Sequence, residues 1–183
     1  MSLLRLCEWL AATPWSIALH ESGYMYLVVL TVHVLTLCVL VGITAMLDLR
    51  LLGLTLRGVP ASEVLTRLLP WAVAGFFVMV ASGALLFYAD PVMKYRNIFF
   101  RLKMVTLILA VLNVWVFHRG TYRDVAMWDL DPVSPRGARM AAGLSLALWA
   151  VMITLGRLIP YQVYWFDCSS PSNSAIVRLL IGC

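Results

Sequence analysis

Between Tyr24 and Leu47 the chain carries no Asp, Glu, Lys or Arg. An uncharged run of this length crosses a bilayer as one helix, since about 20 apolar residues at about 1.5 Å each cover a hydrocarbon core of roughly 30 Å. Three further runs share this character. Trp71–Ala89 is opened by Pro70 and closed by Asp90-Pro91. Ile98–Phe117 carries Arg101 and Lys103 in its first turn and a half, and Met140–Tyr161 has Arg157 near its end. In hydrocarbon a lone chain of this kind can satisfy its backbone hydrogen bonds only as helices. The expected fold is therefore all-α, with four transmembrane helices in an antiparallel bundle.

A short interfacial helix is expected ahead of the bundle. Leu3–Ala11 mixes apolar residues with Arg5 and Glu8 before Thr13-Pro14 breaks it, the pattern of a helix lying in the headgroup layer. Pro60–Leu69 reads as a second such helix, with Val64, Leu65, Leu68 and Leu69 set against Glu63 and Arg67. Trp128, in the polar 119–139 loop, is expected at headgroup level. The organisation is then an N-terminal interfacial segment over 1–22, a four-helix transmembrane domain over 23–166 and a tail over 167–183.

Composition excludes several functions. Of 183 residues, 62% are hydrophobic and 13% charged, which leaves no material for a soluble domain beside the membrane one. The net charge of +5 comes from arginines that belong at helix ends, where long side chains reach lipid phosphates. Nucleic-acid binding does not explain it. The first apolar run is too long for a cleavable signal peptide and leads straight into Asp48 and Arg50. Cys7, Cys38, Cys168 and Cys183 form no CxxC pair, so no zinc or redox motif is indicated. Cys38 reads as a small packing residue inside the first span. No nucleophile–base pair, paired carboxylates, Gly-rich phosphate loop or HExxH motif occurs, and nothing in the sequence requires an enzyme.

Four spans place both termini on one side, here side A, and the 48–70 and 118–139 loops on side B. Seven basic residues fall on each side, so the positive-inside count is a tie. A disulfide between Cys168 and Cys183 would need an oxidising side A, which tips the expectation toward periplasmic termini in a bacterial inner membrane.

His33 is the ionisable residue placed deepest. It lies about five residues below the start of hydrocarbon, roughly 8 Å from side A, whereas His118 ends the third span roughly 30 Å from that side. Separated by about 20 Å in depth, the two cannot hold one haem iron, which needs both ligands within about 2 Å. At the depth of His33 lie Met79, Met104 and Met152. A His–Met axial pair is haem chemistry, and thioethers also suit copper(I). A neutral His33 hydrogen-bonded across helices, to Asn113, Ser145 or Thr154, is the alternative. At side B, Asp48, Arg50, His118, Arg119 and Arg123 form an expected interfacial polar network. Lys94, Arg96, Arg101 and Lys103 form a basic belt on side A whose default partner is anionic lipid. Gly75 with Gly83, and Gly143 with Ala147, provide close helix packing.

Val32-His33, Gly42, Leu47-Asp48-Leu49-Arg50-Leu51-Leu52-Gly53, Leu69-Pro70-Trp71, Phe99-Phe100-Arg101-Leu102-Lys103, Asn113, Phe117-His118, Trp128-Asp129 and Gly156-Arg157 together resemble an uncharacterised bacterial family of four-span membrane proteins. The resemblance covers most of residues 24–161; it implies the fold and carries no activity. The first span also distantly resembles membrane proteins of the copper-resistance D and HemJ types. The function expected is a membrane subunit or binding scaffold, with a b-type haem at His33 as its cofactor. A small transporter or copper-handling protein, and a cofactor-free structural protein, are the alternatives. The lipid bilayer and a further membrane protein or second copy are the expected partners.

Overall fold

The computed structural model describes residues 3–131 and 133–162. Eight α-helices occur in this part: α1 (Leu3–Ala11), α2 (Pro14–Glu21), α3 (Gly23–Leu51), α4 (Ala61–Ala89), α5 (Pro91–Arg96), α6 (Ile98–Arg119), α7 (Val125–Trp128) and α8 (Arg136–Leu158). Among the described residues there is no strand. Four helical stretches, built on α3, α4, α6 and α8, are long and apolar enough to cross a membrane. Only 6% to 22% of the most apolar window of each is buried inside the bundle. The remaining apolar surface far exceeds what a water-soluble domain exposes, and lipid is the solvent that accommodates it.

Two of the spanning helices, α3 and α6, start on a local side-chain cap. Ser22 accepts a hydrogen bond from the Met25 N–H at the start of α3, and Asn97 accepts one from the Phe100 N–H at the start of α6, as N-cap residues do. At its other end α3 closes in a Schellman motif. Gly53 takes a positive φ of 71°, its N–H donates to the Arg50 carbonyl, and the Leu54 N–H donates to the Leu49 carbonyl. Only glycine adopts that φ without steric cost, and this is why the chain turns at Leu52-Gly53.

The second span departs from its expected boundary. Pro70 lies inside α4 rather than opening it, and 61–69 is the first part of a spanning helix, not a separate interfacial one. Tertiary packing overrides the proline. Val64 and Leu65 are buried with Leu47, Leu51, Phe117, Trp128, Ala138 and Ala142 in a core at the side B end. Trp128 is turned inward; it is 7% exposed and its indole N–H donates to the Thr121 carbonyl over 3.3 Å. Cys38 faces outward, not into the packing.

A second core joins all four helices: Leu40 from α3, Ala72 and Met79 from α4, Ala110 from α6, and Trp149 and Met152 from α8. The bundle consists of two close pairs, α3 with α4 and α6 with α8, joined where α3 meets α8. Asn113 ties the second pair by donating to the Ala141 carbonyl over 2.9 Å. On side A, α1 packs against α5 and α2 against α4. Ser16 anchors that cover by donating to the Tyr88 carbonyl over 2.7 Å, and Thr13 shares a hydrogen bond with the Tyr88 hydroxyl.

Candidate functional site

The side A half of the bundle contains a layer of polar side chains from α3, α4 and α6, set against glycines of α4 and α8. His33 of α3 is half-buried and its Nδ1 lies 2.9 Å from the Ser82 hydroxyl of α4. The ring rests on Gly83, where a Cβ would come within 3.2 Å of its Cε1. Lys103 of α6 extends over Gly156 of α8, where a Cβ would come within 3.3 Å of Nζ. Each polar side chain therefore occupies space that a glycine on the neighbouring helix leaves free.

The Ser82 hydroxyl also reaches acceptors on its own helix. A hydroxyl has one proton to give, and Ser82 directs it to its own helix, with the Val78 carbonyl at 2.7 Å and the Met79 carbonyl at 3.1 Å. With that proton directed to its own helix, the Ser82 oxygen accepts from His33 Nδ1–H, one of the two tautomers that the 2.9 Å contact admits. In that tautomer Nε2 keeps its lone pair. This is the form in which imidazole ligates a metal, with the other nitrogen held by a second group.

The three methionines at this level are arranged unequally. Met79 and Met152 are both buried in the shared core, at 5% and 1% exposure, and the Met79 carbonyl also faces His33. Met104 is half-buried on α6. Among the described residues no group of three or more His, Cys, Asp or Glu is placed to hold a metal ion. Asn113, Ser145 and Thr154 are all engaged away from His33. Asn113 bonds to Ala141, Ser145 faces the Asp48 carboxylate, and Thr154 donates to the Ala150 carbonyl of its own helix.

His118 ends α6 on side B. It lies fifteen residues, or about 22 Å of helix rise, from Lys103. Its Nδ1 is 3.0 Å from the Val114 carbonyl, and its ring packs against Phe117 and Tyr122. The other side B residues are dispersed. Arg119 lies over the Trp115 ring at 4.5 Å and Arg123 is exposed. Asp48 and Arg50 turn inward, at 7% and 1% exposure. Arg50 donates from Nε to the Val59 carbonyl over 2.8 Å and from Nη2 to the Asp129 carbonyl over 3.5 Å. Among the described residues its Nη1 and Asp48 Oδ2 have no hydrogen-bond partner. Among the described residues the ion pair is Arg67 with Glu63, one turn apart on α4.

Asp129 holds side B together in a way that motif reading misses. Pro60, which precedes α4, offers no side-chain cap. Asp129, 67 positions after Ser62, supplies one: Oδ1 accepts the Ser62 N–H at 2.7 Å and Oδ2 accepts the Ser62 hydroxyl at 2.5 Å. Partial burial pushes this carboxyl up. The two Ser62 bonds, with Arg50 and the Ala61 N–H, outweigh that and hold it below the usual carboxylate value.

Taken together, these features define a multi-pass helical membrane protein with a polar layer inside its bundle near one surface. Residues 9–162 match a family of unknown function, DUF6644, and the chain belongs to that family. No curated protein and no solved structure matches it, so the likeness of the first span to copper-resistance D and HemJ proteins has no counterpart there. Ser82 is the site residue that sequence reading passes over, and Lys103 is read there only as part of the side A basic belt. Ser82 sits three positions after Met79 and next to Gly83, so the α4 face was visible but its hydroxyl was not singled out.

Proposed function

We propose that the chain is a membrane-embedded binding scaffold whose ligating group is His33, and that its ligand is a b-type haem held between the helices. The observation that carries this reading is the 2.9 Å contact of His33 Nδ1 with the Ser82 hydroxyl, whose proton has acceptors on its own helix, an arrangement that supports an Nε2 free to ligate. An imidazole so oriented is suited to haem iron, with thioethers at Met79, Met104 and Met152 as candidates for the second axial position. Copper(I) bound by the same imidazole and thioethers is the corresponding metal-handling reading. The same hydrogen bond supports a cofactor-free reading, in which His33–Ser82 simply ties α3 to α4 over Gly83.

Absorption spectra of the purified protein, oxidised and dithionite-reduced, separate these. A Soret band that His33→Ala abolishes supports the haem reading. In Ser82→Ala the ring loses its orienting partner, and haem retention falls about tenfold or more, as for other outer-shell partners of ligating histidines. A protein with no Soret band, and with a metal content that His33→Ala leaves unchanged, would refute both ligand readings. On this reading the scaffold belongs to a bacterial inner membrane with periplasmic termini, beside another membrane protein or a second copy. Reporter fusions at each terminus test the orientation, with cytoplasmic-side activity overturning it.

A further inference from the structure

The first turn of α8 presents two cations to a recess on side B. Arg136 and Arg139 line it together with Met140 of the same helix and Leu52, which follows α3. Three positions apart, the two guanidinium groups belong to one helix face. Both residues are exposed, and among the described residues no carboxylate lies within ion-pair distance of either. The acids of side B are engaged elsewhere or stand apart. Asp48 is buried, Glu63 is paired with Arg67, and Asp129 is held by Ser62. Asp124 and Asp131 are exposed and reach neither arginine. Pro132, the undescribed position on this side, carries no charge. The last described residue, Gln162, lies beyond the far end of α8, about 35 Å of helix rise from Arg139.

The surroundings of the recess select its ligand. The fourth spanning stretch begins at Arg136, so both arginines stand where long cationic side chains meet lipid phosphates. A guanidinium offers a planar fork of donors that matches a phosphate, and basic recesses between spanning helices take anionic headgroups. The volume of 280 Å³ is close to that of the smallest ligand clefts, roughly 300 Å³, room for a phosphate and its glycerol ester but not for acyl chains. A path for a chain continues below. Gly143 and Ala147 follow Met140 at helical spacing on the same face, and both are exposed. The spacing of Gly143 suggests a seat for a neighbouring helix, yet no atom lies within 4 Å of where its Cβ would be. The furrow is open to the lipid.

We propose that Arg136 and Arg139 clamp the headgroup phosphate of an anionic phospholipid in the recess beside Leu52, with one acyl chain lying along Gly143 and Ala147. The two arginines supply the charge selectivity, and the missing side chain of Gly143 supplies the room. The site lies at the opposite end of the bundle from His33 and stands whether or not that imidazole carries a ligand.

The test offers the full chain in detergent phosphatidylglycerol, phosphatidylcholine or inorganic phosphate. Native mass spectrometry reads retained lipid and oligomeric state, and thermal unfolding reads stabilisation. Phosphatidylglycerol is expected to be retained in preference to phosphatidylcholine and to raise the unfolding temperature. Arg136→Gln combined with Arg139→Gln weakens its retention about tenfold or more, the equivalent of one hydrogen bond to a charged group. Arg67→Gln, which removes a cation already paired on the same side, changes nothing. Gly143→Leu fills the furrow and weakens retention with the charge intact; a Cβ there meets nothing in the described fold, so this variant keeps the comparison open should the double variant fail to fold. Equal retention of the two lipids, or a folded double variant that retains phosphatidylglycerol as the wild type does, overturns the proposal. Inorganic phosphate stabilising as well as phosphatidylglycerol would make this a free-anion site and overturn the lipid assignment. A dimer that Gly143→Leu dissolves while lipid retention is unchanged would give the face to a second copy, which also overturns it.

Discussion

Asp129→Ala removes the borrowed cap of α4, and the cost follows from the geometry. Two hydrogen bonds to an ionised carboxylate are lost, at 2.7 and 2.5 Å. Bonds to charged groups contribute about 1.5–3 kcal/mol each when fully formed. Asp129 is only partly buried, so water replaces part of this and the low end applies. Deletion of an N-cap costs about 0.5–2 kcal/mol, and an anion at a helix N-terminus adds about 0.3–1 kcal/mol. The combined loss is about 2–3 kcal/mol, felt first as opening of the first turn of α4. Amide exchange over residues 61–65 then accelerates about thirtyfold or more, since each 1.4 kcal/mol is a factor of ten. Hydrogen–deuterium exchange resolved to that peptide in detergent measures it. Ser62→Ala, which removes only the hydroxyl bond, shows about half the loss in free energy, and Asp129→Asn falls between. Protection in Asp129→Ala within about twofold of the wild type would show that α4 does not depend on this carboxylate.

The same carboxylate predicts a pH dependence. Its value in the folded state is depressed, so the stability it contributes is complete above the unfolded value of about 3.9 and is lost as pH falls through the lower folded value. The difference between wild type and Asp129→Ala should be constant from about pH 8 to pH 5 and vanish only in acid; a difference that shrinks between pH 7 and pH 5 contradicts the depressed value. Asn113→Ala breaks the 2.9 Å bond between α6 and α8 and should cost about 0.6 kcal/mol, at most about 1.7. Unfolding midpoints in detergent report this, and a variant as stable as the wild type argues against the bond. Cys7 is 5% exposed, and burial, aided by Glu8, pushes its thiol up. Alkylation at Cys7 should therefore be slower than in the SDS-unfolded chain, as read by peptide mass spectrometry. Equal rates would mean that α1 does not pack on α5.

The sequence by itself determined the number of spans, their approximate ends and the depth of each ionisable residue along its helix. Hydropathy and helix rise are local quantities, so the uncharged run from Tyr24 to Leu47 already implied that His33 and His118 lie near opposite surfaces. Only the tertiary structure decided what each residue meets. The α3 helix is apolar around its whole circumference, so no periodicity in it showed which face His33 would turn to a neighbour. Its rotation, and the register of α4 beside it, selected Ser82 in place of Asn113, Ser145 or Thr154. Pro70 illustrates the same division: locally it reads as a helix start, yet burial of Val64 and Leu65 against Phe117 and Trp128 carries α4 through it. Asp129 capping Ser62 and Lys103 crossing Gly156 are long-range pairings, and no local pattern encodes the meeting of residues so distant in the chain.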